Sequence, residues 1–62
     1  MSIDDQKRVL LNAGWIAVRA TTWKAPWGAF YRGPHGAWKV MDAMKRGNVM
    51  RLGVAMAKFK VG

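Results

Sequence analysis

The residues best suited to chemistry in this chain are aromatic and basic, and they crowd together between positions 23 and 39. The segment interleaves five aromatic rings, three basic side chains and one histidine. Rings on a sheet face can stack on unpaired bases at about 1–3 kcal/mol per base, while neighbouring cations contact phosphates. The pattern therefore predicts a surface that binds nucleic acid.

The sequence lacks the combinations of residues that catalysis or metal binding requires. The only serine is Ser2, at the expected start of a helix, and the only histidine is His35, in a Gly-Pro-His-Gly turn, so no nucleophile and base stand together. The acids are Asp4, Asp5 and Asp42, which do not form a carboxylate pair across a cleft. Cysteine is absent, which excludes disulfides and thiolate zinc sites. We expect no enzyme activity, no metal and no cofactor.

The charge of the chain favours a polyanionic partner. Eleven lysines and arginines face three acids, giving a net charge of +8 over 62 residues. All of this excess falls after residue 14, in stretches that hold a single acid. Such an imbalance attracts nucleic acid or an anionic membrane, whereas a surface without a charged partner usually mixes both signs.

Nine residues are the expected contacts with nucleic acid. Trp27 lies in a Pro-Gly turn that favours exposure, and Tyr31 and Phe30 point to opposite faces of one short strand, so that one is core and the other available. Phosphate contacts position a protein without reading sequence, so we expect general affinity. The candidate contacts are Arg19, Lys24, Trp27, Tyr31, Arg32, Lys39, Lys45, Arg46 and Arg51.

Four segments must position these side chains. Residues 2–13 predict a helix, and residues 15–32 predict a β-hairpin whose first strand spans 15–23. Residues 37–46 predict a second helix, while residues 49–61 fit either a helix or a strand. The simplest arrangement is a single α+β domain over residues 1–62, with helices packed on a small antiparallel sheet.

Local signals mark the ends of these segments. Ser2 followed by Asp5 approximates a capping box at the first helix. Gly14 and Gly47 suit the left-handed conformation that ends a helix. Asn48 is a candidate cap for a further helix. Large apolar residues are expected to fill the core, namely Trp15, Trp23, Trp38, Met41, Met44 and Met56.

Other functions remain open at this stage. Short length, tryptophan with lysine and strong positive charge also fit a membrane-active antibacterial peptide, and in these properties the chain is similar to leaderless cationic bacteriocins. A small phage-type protein that binds and inhibits a host machine is another alternative, as is a homo-oligomer. The polar, acidic start of the chain is unlike a secretory signal and favours the cytoplasm, with secretion without a signal peptide as the alternative.

Overall fold

The protein folds as two layers, a three-stranded antiparallel sheet and three helices that pack against one of its faces and leave the first strand exposed. We describe it from a computed structural model that covers all 62 residues. The elements are α1 (Ile3–Asn12), β1 (Ile16–Arg19), β2 (Thr22–Lys24), β3 (Phe30–Arg32), α2 (His35–Lys45) and α3 (Val49–Phe59). The strands lie in the order β1-β2-β3. The expected α+β class is confirmed.

The segment 15–23 is two strands and not the single strand predicted from its composition. The chain turns at Ala20 and Thr21, and Thr22–Lys24 returns antiparallel to Ile16–Arg19. Folding back gives β2 a partner on each side. No Gly or Pro marks this turn, so the sequence pattern misses it.

The predicted helix signals act as expected. Ser2 Oγ accepts a hydrogen bond from the backbone N–H of Asp5 (3.2 Å), and Asn48 Oδ1 accepts one from the N–H of Arg51 (3.1 Å). Gly14 and Gly47 both have positive φ. The ambiguous C-terminal segment is the helix α3, because Asn48 caps it. Strand character is confined to the last residues, where the N–H of Val61 donates to the carbonyl of Phe30 (2.9 Å).

The core lies between the sheet and the helices. Trp23 and Tyr31 are opposite each other on β2 and β3, and both rings point toward α2. The buried cluster consists of Leu10, Trp15, Trp23, Ala25, Tyr31, Ala37, Val40 and Ala55. Trp15 and Trp23 are core residues as expected, and Trp38 is half-buried at the edge. Met44, expected in the core, is exposed in the last turn of α2.

The helices α2 and α3 run antiparallel in close contact. Gly36, at the start of α2, lies against Phe59 at the end of α3, and a Cβ at position 36 would be 2.5 Å from the Phe59 ring. Glycine is therefore required for this approach. The contact fixes the spacing of the two helices along a shared groove. None of the three helices has the length and apolar character that crossing a bilayer requires.

Candidate nucleic-acid interface

The face of the sheet that points away from the helices is uncovered and carries aligned side chains. Residues directly opposite each other in an antiparallel pair share a face. Ile16 pairs with Lys24, and Lys24 pairs with Phe30, so these three side chains form one row across the sheet. All three are exposed. We call this surface the outer sheet face.

A β-bulge brings Arg19 onto the outer sheet face. Ala17 pairs with Trp23, which faces the core, and simple alternation along β1 would turn Arg19 inward as well. The register shifts between Ala17 and Arg19, so Arg19 lies opposite Thr22, and Thr22 lies opposite Arg32. Bulges commonly redirect a side chain in this way. The result is a second row, with an arginine at each edge and a threonine between them.

Phe30 is the aromatic ring of this face. Its side chain is 39% exposed, and Lys24 Nζ lies 6.0 Å from the ring centroid. Tyr31 is only 1% exposed, so its assignment as a nucleic-acid contact is wrong. The reason is register, because Tyr31 pairs with Trp23 and both rings fill the core. Of the two neighbours, Phe30 is therefore the available one.

Trp27 is partly exposed, at 44%, yet it lies away from the outer sheet face. Its ring makes an edge contact with Trp15 at 5.3 Å between centroids and with Tyr31 at 6.1 Å. Since both partners belong to the core, Trp27 covers the core at the β2–β3 loop. The structure therefore separates Trp27 from the cations of the sheet.

A groove between α2 and α3 collects a second set of predicted residues. It has a volume of about 590 Å³, and Lys39, Arg46 and Arg51 line it together with Lys58. Lys45 is exposed but lines neither the groove nor the sheet. The predicted cations are thus divided, with Arg19, Lys24 and Arg32 on the outer sheet face. We call the second surface the α2–α3 groove.

Few of the cations are neutralised within the molecule. Arg8 lies 3.9 Å from Asp5, and Arg46 Nε lies 3.0 Å from Asp42. The other nine lysines and arginines have no carboxylate within salt-bridge distance. Every cation of the outer sheet face is among them. This face therefore presents three unpaired positive charges together with one exposed ring.

Two residues of these surfaces, Phe30 and Lys58, were missing from the predicted contacts. Once the β2–β3 register is known, Phe30 is assigned to the outer sheet face, because its neighbour Tyr31 pairs with the inward-facing Trp23. Lys58 follows Arg51 by seven residues, which places both on one side of a helix. That spacing becomes informative only if residues 49–59 are helical, which the sequence leaves undecided.

The single histidine has a structural neighbour. Nε2 of Gln6, on α1, lies 3.3 Å from Nδ1 of His35. No group of three His, Cys, Asp or Glu side chains is placed to hold a metal ion.

Comparison with family models, curated proteins and solved structures finds no match to this chain. Function is therefore inferred from the outer sheet face and the α2–α3 groove.

Proposed function

We propose that the protein is a small, non-enzymatic module that binds single-stranded nucleic acid on the outer sheet face. The observation that supports this proposal is that Arg19, Lys24 and Arg32 share one face of the sheet with the exposed ring of Phe30, with no acid on the face. Such a combination of stacking platform and cations suits a strand whose bases are unpaired. The cytoplasm is the compartment in which we place this function.

Each side chain has a defined role in the proposal. The Phe30 ring stacks on a base, at about 1–3 kcal/mol. Arg32, two residues after Phe30 on β3, and Arg19, at the β1 edge of the sheet, contact further phosphates of the same strand, because a guanidinium matches the geometry of phosphate oxygens. Lys24, beside the ring, neutralises the phosphate nearest the stacked base. Three neutralised phosphates correspond to a slope of about −2 for log Kobs against log salt on a single strand.

The chemistry favours unpaired bases over duplex DNA. A ring in a flat sheet face reaches a base only when that base is unstacked from its neighbours. The alternative is insertion of α2 into a major groove, but α2 carries no Asn or Gln to read adenine. The proposed contacts involve ring stacking and phosphates, so we expect little dependence on base sequence.

The proposal is tested by replacing the Phe30 ring while keeping its apolar bulk. Phe30→Leu should weaken binding of a fluorescein-labelled oligothymidylate of about 12 nucleotides by roughly 5- to 100-fold, the worth of one stacked base. Phe30→Trp should bind at least as tightly as the wild type. Fluorescence anisotropy measures both. Equal affinity for wild type and Phe30→Leu would show that the ring does not stack on a base.

Membrane binding is the second candidate, because Ile16, Val18 and Phe30 expose apolar surface beside the same cations. Apolar and basic residues together also suit an anionic bilayer surface. Cosedimentation with phosphatidylglycerol vesicles separates the two functions. Vesicle binding that survives Phe30→Leu, combined with no binding of the oligonucleotide, would replace the proposed function with this one.

A further inference from the structure

The helix α3 exposes three large apolar side chains to solvent. Val49 is 79% exposed, Met50 is 84% exposed and Val54 is 67% exposed. Contiguous exposed apolar surface on one element commonly marks an interaction site. Met50 and Val54 also line the α2–α3 groove, so the apolar surface continues into a concavity.

The cations of the groove are distributed along its length. Because Gly36 at the start of α2 lies against Phe59 at the end of α3, the helices are antiparallel. Arg46 and Arg51 therefore lie near the turn that joins the helices, Lys58 lies near the opposite end, and Lys39 lies near the middle of α2. Apolar side chains alternate with these cations, since Met50 precedes Arg51 and Phe59 follows Lys58. Each helix has 11 residues, or a length of about 16 Å.

We propose that the α2–α3 groove docks an amphipathic, acidic helix of a partner protein. An apolar groove of this length fits about three turns of helix, which is a recurring mode of peptide recognition. The cations along the groove select a helix whose Asp or Glu side chains flank apolar residues at i, i+3 or i+4, and i+7. Charge complementarity of this kind sets both orientation and partner choice.

The features of the groove disfavour other occupants. A nucleic-acid backbone would contact the cations but would leave Met50 and Val54 without an apolar partner. A second copy of the chain carries the same net charge of +8, and its three acids include two that are already paired. The partner must therefore supply both apolar and acidic side chains.

Arg46, which lines the groove, is hydrogen-bonded to Asp42 one turn earlier in α2. Arg46 Nε donates to both carboxylate oxygens of Asp42, at 3.1 and 3.0 Å. This contact orients the guanidinium, while its two terminal nitrogens make no hydrogen bond within the protein. A planar guanidinium held in this way can bind an incoming carboxylate through the remaining nitrogens.

The probe is a synthetic, fluorescein-labelled helical peptide of about 14 residues, long enough to span three turns. It carries Leu at the apolar positions and Glu at both ends. Matched peptides have the same composition in scrambled order, or Lys in place of Glu. We expect anisotropy to report binding of the Glu peptide alone, and amide chemical shifts to change at Met50, Arg51 and Val54. Absence of binding, or shifts confined to the outer sheet face, would overturn the proposal.

Variants of the protein test the apolar and ionic contributions separately. Val54→Ser should weaken peptide binding about tenfold through lost apolar burial. Leu11→Ser, at an exposed position of α1, is the matched control and should have no effect. Arg51→Glu should weaken binding of the Glu peptide about fivefold or more, the upper end for one exposed ion pair. The same variant should gain affinity for the Lys peptide.

Two further measurements distinguish this proposal from others. Phe30→Leu should leave peptide binding unchanged, so failure of the groove proposal and failure of the proposed function are separate results. Phosphatidylglycerol vesicles without peptide should show no binding that depends on Val54. Vesicle binding that Val54→Ser abolishes would assign the groove surface to a membrane and would overturn the protein-partner proposal.

Discussion

At the residue scale, alternation along the strands decides which side chains face the core and which lie on the outer sheet face. The alternation of Phe30 and Tyr31 predicted that one of them lies in the core, but Tyr31, expected among the contacts, is the buried one. The choice depends on the partner strand, because Tyr31 faces inward by pairing with Trp23. Arg19 required the same kind of information, since a bulge that no sequence signal marks turns it outward. Burial of Trp15 and Trp23, by contrast, was predictable from their size.

Two glycines of neighbouring helices should respond in opposite directions to the same substitution. Gly36→Ala should lower the free energy of unfolding by about 1–3 kcal/mol, because the added Cβ would lie 2.5 Å from the Phe59 ring. Gly53→Ala should raise it by about 1 kcal/mol, since that position has open space and alanine favours helix. Chemical denaturation measures both values. A stabilised Gly36→Ala variant would contradict the close α2–α3 contact.

At the element scale, the helices were more predictable than the strands. Caps and stop signals such as Ser2, Gly14 and Gly47 act within a few residues, so the sequence contains the information directly. The turn at Ala20 and Thr21 has no such signal, because no Gly, Pro, Asn or Asp lies there. The α2–α3 groove could not be predicted, because it depends on the helical state of residues 49–59 and on the contact at Gly36.

The state of α3 depends on its cap. Asn48→Ala should lower the free energy of unfolding by about 1 kcal/mol, since the N–H of Arg51 loses the side-chain acceptor that it now has. Asn12→Ala is the matched control, because Asn12 is exposed in the last turn of α1 and caps nothing. Thermal unfolding followed by circular dichroism compares the two. Equal effects of both substitutions would show that the Asn48 cap does not stabilise α3.

At the scale of the whole molecule, the sequence predicted an excess of positive charge but not the separation of the cations into two surfaces. Charge counts place most cations after residue 36, and the predicted contacts were drawn from strands and helices alike. The fold instead gathers Arg19, Lys24 and Arg32 on the outer sheet face, because antiparallel pairing aligns residues from three short strands. The two surfaces differ in chemistry, since one combines cations with an aromatic ring on a sheet face and the other lines a groove with cations and apolar side chains.

The dependence of nucleic-acid binding on salt tests the central proposal most directly. Two triple variants each lower the net charge by the same amount, one on the outer sheet face (Arg19→Gln, Lys24→Gln, Arg32→Gln) and one in the groove (Lys39→Gln, Arg51→Gln, Lys58→Gln). Oligothymidylate binding is titrated by anisotropy at several salt concentrations. We expect a slope of about −2 for the wild type and the groove variant, and a slope near zero for the sheet variant. Equal loss of slope in both variants, or loss in the groove variant alone, would contradict binding at the outer sheet face.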